Sequence, residues 1–156
     1  MKRILSILFT VMISSAVQSE DYIGASFASI DIEALGQGPT INAIIARYGT
    51  TLSDQMTGEF RLGIGLGSDN FGGVDFKINN MLGAYIKLHA TAEGTNPYFI
   101  AGFTRGELSA GSIKDSDDDF SIGLGVDLSN GFNIEYMKYM DKNGVELNGL
   151  SLGMKF

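Results

Sequence analysis

The chain has 156 residues, enough for one domain, and carries 11 Lys plus Arg against 18 Asp plus Glu, a formal net charge of -7. That acidic balance excludes nucleic acid as a partner, because its phosphates would be repelled. Cysteine is absent, which excludes disulfides, thiol chemistry and cysteine-based metal sites.

The first residues have the build of an export signal. Lys2 and Arg3 precede a short apolar run, Ile4 to Ile13, and small residues follow from Ser14 to Ser19. A signal peptide over residues 1–19 is expected, cut after Ser19 or alternatively after Ala16. Its removal leaves 9 basic residues against 18 acidic ones, since the segment contains two basic residues and no acid.

From Asp21 the sequence divides into eight segments of alternating character, separated by clusters of Gly, Asn, Asp and Ser. The first strand is predicted over Tyr22 to Ile30, with Ile23, Ala25 and Phe27 opposite Gly24, Ser26 and Ala28; residues 31–38 read as a loop. The second, Thr40 to Thr50, sends Tyr48 to one face and Arg47 to the other. In the third, Phe60, Leu62, Ile64 and Leu66 alternate with Glu59, Arg61, Gly63, Gly65 and Gly67, and residues 68–73 read as a loop. The fourth, Asp75 to His89, sets Leu82, Ala84, Ile86 and Leu88 against Gly83, Tyr85, Lys87 and His89. Pro97 precedes the fifth, Tyr98 to Leu108, where a missing donor is tolerated. A longer polar loop is predicted over Ser109 to Asp118. The sixth strand, Phe120 to Leu128, and the seventh, Phe132 to Met140, flank Asn130-Gly131, a hairpin signal.

The eighth strand, Val145 to Phe156, has the cleanest pattern. Leu150, Leu152, Met154 and Phe156 alternate with Gly149, Ser151, Gly153 and Lys155, so one face is apolar to the last residue. Beyond the signal no apolar run approaches the ~20 residues of a membrane helix, so membrane residence requires a closed barrel. Eight strands of ~10 residues suffice at a ~45° tilt. The predicted fold is therefore all-β, an eight-stranded antiparallel up-and-down transmembrane barrel over residues 20–156. The 21 glycines, many inside strands, fit the crowded inner wall of a narrow barrel. A soluble lipocalin-like barrel, with the apolar face turned inward, is the alternative architecture.

The terminal strand resembles that of bacterial outer-membrane β-barrels, and the whole pattern resembles the small barrels that include the OmpA transmembrane domain, OmpX-type and opacity-type proteins. The resemblance implies location in the outer membrane of a Gram-negative cell. It also implies contact with lipid and lipopolysaccharide, and recognition of Leu150, Leu152, Met154 and Phe156 by the barrel assembly machinery.

On the inner face the pattern places Arg47, Arg61, Lys87 and Lys155 with Glu59, Asp127 and Glu135, charges that nearly balance and predict a lumen closed by ion pairs. Arg105 and Lys138 face outward near the extracellular end, where they either meet lipopolysaccharide phosphates or snorkel to water. Tyr48, Phe99, Phe132 and Phe156 are expected at the periplasmic rim.

His89, the only histidine, stands near Thr91 and Glu93, but a contiguous turn at the periplasmic end is a poor triad, and no catalytic residue is assigned. The Asp115 to Asp119 run lacks the Gly and distal Glu of a calcium loop and reads as a solvated acidic loop. No cofactor or metal is expected. The predicted role is structural or surface-interacting, with possible extracellular partners through the loops. A lipid A modifying enzyme and a periplasmic binder are the alternatives.

Overall fold

A computed structural model describes residues 21–34, 36–90, 95–142 and 144–156. The expected signal peptide, and Thr91 and Glu93, lie outside the described residues.

Among the described residues nine strands form one antiparallel sheet: β1 (Asp21–Ala34), β2 (Thr40–Ser53), β3 (Met56–Gly65), β4 (Asp69–Phe71), β5 (Val74–His89), β6 (Thr95–Ala110), β7 (Ile113–Leu128), β8 (Phe132–Lys142) and β9 (Val145–Lys155). Their order is β3-β2-β1-β9-β8-β7-β6-β5-β4, and β3 also pairs with β5, which closes eight strands into a barrel and leaves β4 as a short flap. Closure satisfies the backbone groups that an open sheet would expose to lipid. The last strand pairs with the first, from Gly24 opposite Lys155 to Ala34 opposite Val145.

Side-chain parity settles the architecture. Leu62, Leu124 and Leu152 are 54%, 64% and 61% exposed on the outer wall, whereas Arg47, Glu59, Arg61, Lys87 and Glu135 are buried inside. A soluble lipocalin would show the reverse, so that alternative is overturned. Tyr48, Phe99, Phe132 and Phe156 are also exposed, and the Tyr48 hydroxyl donates to Asp21 Oδ2 at 2.9 Å; Phe99, directly opposite Leu124, lies within the apolar band and not at the expected rim.

Three predicted loops contain ladder. Strand β1 continues to Ala34 and β4 occupies Asp69–Phe71. The stretch read as a loop from Ser109 is mostly a hairpin, in which β6 and β7 pair as far as Ala110 opposite Ile113. Gly111, at φ 58°, makes the turn. Each of these two strands has 16 residues, roughly 53 Å at strand rise. A membrane strand needs only ~9–11 residues, so the far end projects well past the lipid.

This projection explains the acidic run. Pairing of β7 with β8 extends only from Asp127 to Ile122; above that the edge of β7 has no backbone ladder and is tied to β8 by side chains, with Asp141 N donating to Asp119 Oδ2 at 2.8 Å and Lys142 Nζ pairing with Asp117. There Asp115, Asp117 and Asp119 each accept the N–H of the following residue, at 2.9, 2.9 and 2.8 Å. The aspartates cap an open strand edge, and their charge discourages adventitious strand pairing. No cluster of acidic or imidazole ligands suited to a metal occurs among the described residues.

Candidate functional site

The barrel interior has two halves. Toward the projecting hairpins it is apolar, built from Ile30, Ile32, Ile41, Ile45, Ile78, Met81, Met137 and Leu147. The expectation of an interior filled by glycine and ion pairs is corrected here. The inner face of β1 runs Gly24, Ser26, Ala28, Ile30, Ile32, becoming larger and more apolar as it leaves the charged zone.

The other half, toward both chain termini, is a polar network. At its centre the Arg61 guanidinium makes a two-pronged contact with Glu135, Nη1 to Oε1 at 2.5 Å and Nη2 to Oε2 at 2.7 Å. Its Nε donates to Glu59 Oε1 at 2.5 Å. Planar, paired donors suit a carboxylate in this way, and such partners offset the cost of burying a guanidinium. The Tyr22 hydroxyl donates to Glu59, and the Tyr98 hydroxyl donates to Glu135 Oε2 at 2.9 Å.

Asp127 gathers the remaining cations. Lys155 Nζ lies 2.5 Å from its Oδ2 and Lys87 Nζ 3.4 Å, while Lys87 also reaches Glu59 at 3.7 Å. Arg47 is different: it is buried, but its Nη2 donates to the amide oxygen of Asn133 at 2.7 Å, with no carboxylate partner. Of the seven ionisable residues expected inside, six join ion pairs and Arg47 joins an amide.

Three tyrosines missed by sequence reasoning organise this network. Tyr22, Tyr85 and Tyr98 stand directly opposite Gly49, Gly102 and Gly125 on neighbouring strands. Their rings lie where a side chain would begin: a Cβ on Gly125 would sit 2.3 Å from the Tyr98 ring, and one on Gly102 would sit 2.6 Å from Tyr85. Glycine thus provides a flat seat for a ring across the ladder. The rings in turn support the cations, with Lys87 Nζ 3.7 Å above Tyr98 and Arg61 4.8 Å above Tyr85. The readable signal was tyrosine at an inward position opposite an inward glycine.

His89 also points inward. Its Nε2 is 3.1 Å from Thr57 Oγ1 and its Nδ1 is 3.8 Å from Asp127 Oδ2. The three residue types match a hydrolytic triad, yet the histidine–carboxylate distance exceeds a hydrogen bond and Asp127 is held by two lysines. An internal cavity of about 10 Å³, lined by Ile45, Arg61, Tyr85 and Tyr139 among others, is about the size of one water.

Outside, Arg105 is exposed on β6, opposite Asp118 and one outward step above the edge-to-face pair Phe103–Phe120. Lys138 is half-buried, and its ammonium lies 2.5 Å from Asp141 and 3.1 Å from Glu146. Leu150, Leu152, Met154 and Phe156 all line the outer wall.

Among solved structures, Neisserial surface protein A is similar with a TM-score of 0.68 at 15% identity, over 89% of this chain and 98% of that one. Ail, the attachment invasion locus protein of Yersinia pestis, solved with the heparin analogue sucrose octasulfate, is similar with a TM-score of 0.64 at 14% identity, over 90% and 100%. The outer membrane enzyme PagL gives 0.56 at 13% identity, over 85% and 98%. Identities this low concern the fold alone. No curated protein matches the chain in sequence. The family model of the outer membrane protein β-barrel domain matches residues 4–156, and with the closed barrel and its apolar outer wall this places the chain in that family, as a protein of the Gram-negative outer membrane.

Proposed function

We propose that the protein is a non-enzymatic outer-membrane barrel, closed through its centre, whose projecting hairpins meet partners outside the cell. The observation that carries this reading is the filled interior. Among the described residues, an apolar plug fills one half and a network of ion pairs crosses the other, and the cavity beside Arg61 is about the size of one water. Steady conduction needs a continuous wet path, and a lumen packed in this way opposes one.

A lipid A modifying activity would need a nucleophile and base on the lipid-facing wall of the outer half. His89 is turned into the lumen at the end opposite the projecting hairpins. Mass spectrometry of lipid A from cells with and without the protein is expected to give the same spectrum. A modified species that disappears in a His89→Ala variant would overturn the non-enzymatic reading, and large steady currents in planar bilayers would overturn the closed lumen.

Arg105 is the better of the two expected lipopolysaccharide contacts. Its guanidinium sits just outward of Phe103 and Phe120, where phosphate headgroups lie, whereas the charge of Lys138 is already matched by two carboxylates. The exposed Leu150, Leu152, Met154 and Phe156 provide the terminal segment for recognition during insertion. Charge sign constrains any extracellular partner. The residues projecting past the apolar band, 31–41, 66–80, 105–119 and 138–148, hold eleven carboxylates against five basic side chains. A polyanion such as the one bound to Ail is disfavoured here, and a cationic partner is favoured.

A further inference from the structure

Among the described residues, the projecting sheet carries an apolar face that is left exposed toward its tip. Register fixes its membership, because residues directly opposite one another on adjacent strands point to the same side. Phe71 opposes Val74, Phe76 opposes Ala110 and Ala110 opposes Ile113. Val74 and Phe76, two residues apart on β5, share that side. The face starts at the buried core, against which Phe76 and Leu108 pack. It ends in the open, with Phe71, Val74 and Ile113 at 42%, 39% and 71% exposure. A hydrogen bond from Gly111 N to Asp75 O at 2.8 Å ties the tip of the β6–β7 hairpin to β5, so the face is built rather than fluctuating coil.

Charges are sorted between the two sides. Asp69 opposes Phe76, and Asp115 opposes Leu108, which puts both carboxylates beside the apolar residues. Lys77 and Lys114 both oppose Ser109, which puts them on the reverse side, toward lipid. Among the described residues of β4 to β7 that project, the apolar side carries carboxylates and no basic residue, whereas the reverse side mixes Lys77 and Lys114 with Asp75, Glu107 and Asp118. Among the described residues no cationic side chain is bonded to Asp115, which stands next to the most exposed apolar residue of the tip.

We infer that this face binds a cationic amphipathic peptide, which lays its apolar side on Val74, Phe76 and Ile113 and its ammonium or guanidinium groups on Asp69 and Asp115. From β4 to β7 the face is three strand spacings wide, ~14 Å, which matches two to three helical turns of such a peptide. The inference rests on the surface-interaction reading above and names its partner chemistry.

The test uses the full chain in nanodiscs of zwitterionic phosphatidylcholine, so that no anionic lipid recruits the probe. The probe is a fluorescent Leu/Lys amphipathic peptide, followed by anisotropy. Empty discs and a Leu/Glu peptide of the same pattern are the controls. Loaded discs are expected to bind the Leu/Lys peptide at least tenfold more tightly than empty discs, and to ignore the Leu/Glu peptide. Val74→Ser with Ile113→Ser is expected to abolish most of that difference, and Asp69→Asn with Asp115→Asn to weaken it at least threefold. These positions are exposed, and unchanged heat-modifiable migration confirms that each variant is folded. Equal binding to loaded and empty discs, or a Val74/Ile113 variant that binds like wild type, overturns the inference. If that happens while lipid A stays unmodified, the non-enzymatic reading stands and only the peptide partner is lost.

Discussion

Glu135→Leu is expected to destabilise the folded barrel by about 3–5 kcal/mol, the cost of leaving a buried charge without its partner. The substitution removes both acceptors of the Arg61 Nη groups and the acceptor of the Tyr98 hydroxyl, in a buried part of the lumen. Arg61 keeps Glu59, but Glu59 is then shared with Lys87 and positive charge predominates in the lumen. Urea titration of refolding into lipid vesicles measures the loss. A companion variant separates the charge effect from lost packing. Arg61→Met combined with Glu135→Leu removes the buried cation and its main partner together, and is expected to recover more than half of the loss, because a matched apolar replacement of a buried pair costs little. A double variant as unstable as Glu135→Leu alone would show that shape, and not charge pairing, holds this part of the lumen.

The second large effect belongs to the outer wall. Leu124→Arg is expected to cost about 2–4 kcal/mol, the penalty for a cation on the lipid face near the bilayer midplane. Leu124 stands between Ile122 and Val126 on its own strand and between Phe99 and Tyr136 on the neighbouring ones, so the charge would have only hydrocarbon around it. The same change at Ile113, on the projecting tip, is expected to leave barrel stability within about 0.5 kcal/mol, as is usual for exposed surface positions. Equal costs at the two sites would contradict the placement of the membrane.

The barrel was legible because its two faces differ in size as well as polarity. In the last eight residues every outward residue is bulky and apolar, and every inward one is Gly, Ser or Lys, so parity alone assigned them. In the outer half that contrast disappears. Ile44 faces lipid while Ile41 and Ile45 face the lumen, and a strand apolar on both sides gives no sign that its interior is a plug. The hairpin beyond Ser109 escaped for a related reason. Its strands are held by a ladder and capped by aspartates, in a stretch whose composition reads as loop. Arg47 was placed correctly inside, but its partner Asn133 lies 86 residues away and only the closed register brings the two together. Tyrosine seated on glycine was missed because the two residues are adjacent across strands, not along them.

The chain contains no tryptophan, so a single tryptophan placed at Leu62, Leu124 or Leu152 reports its own surroundings. In vesicles with bromine at mid-chain positions of the lipid, all three are expected to be strongly quenched, and aqueous iodide is expected to leave them unaffected. Quenching by iodide without quenching by bromolipid at these positions would contradict the outward, lipid-facing wall on which the whole account stands.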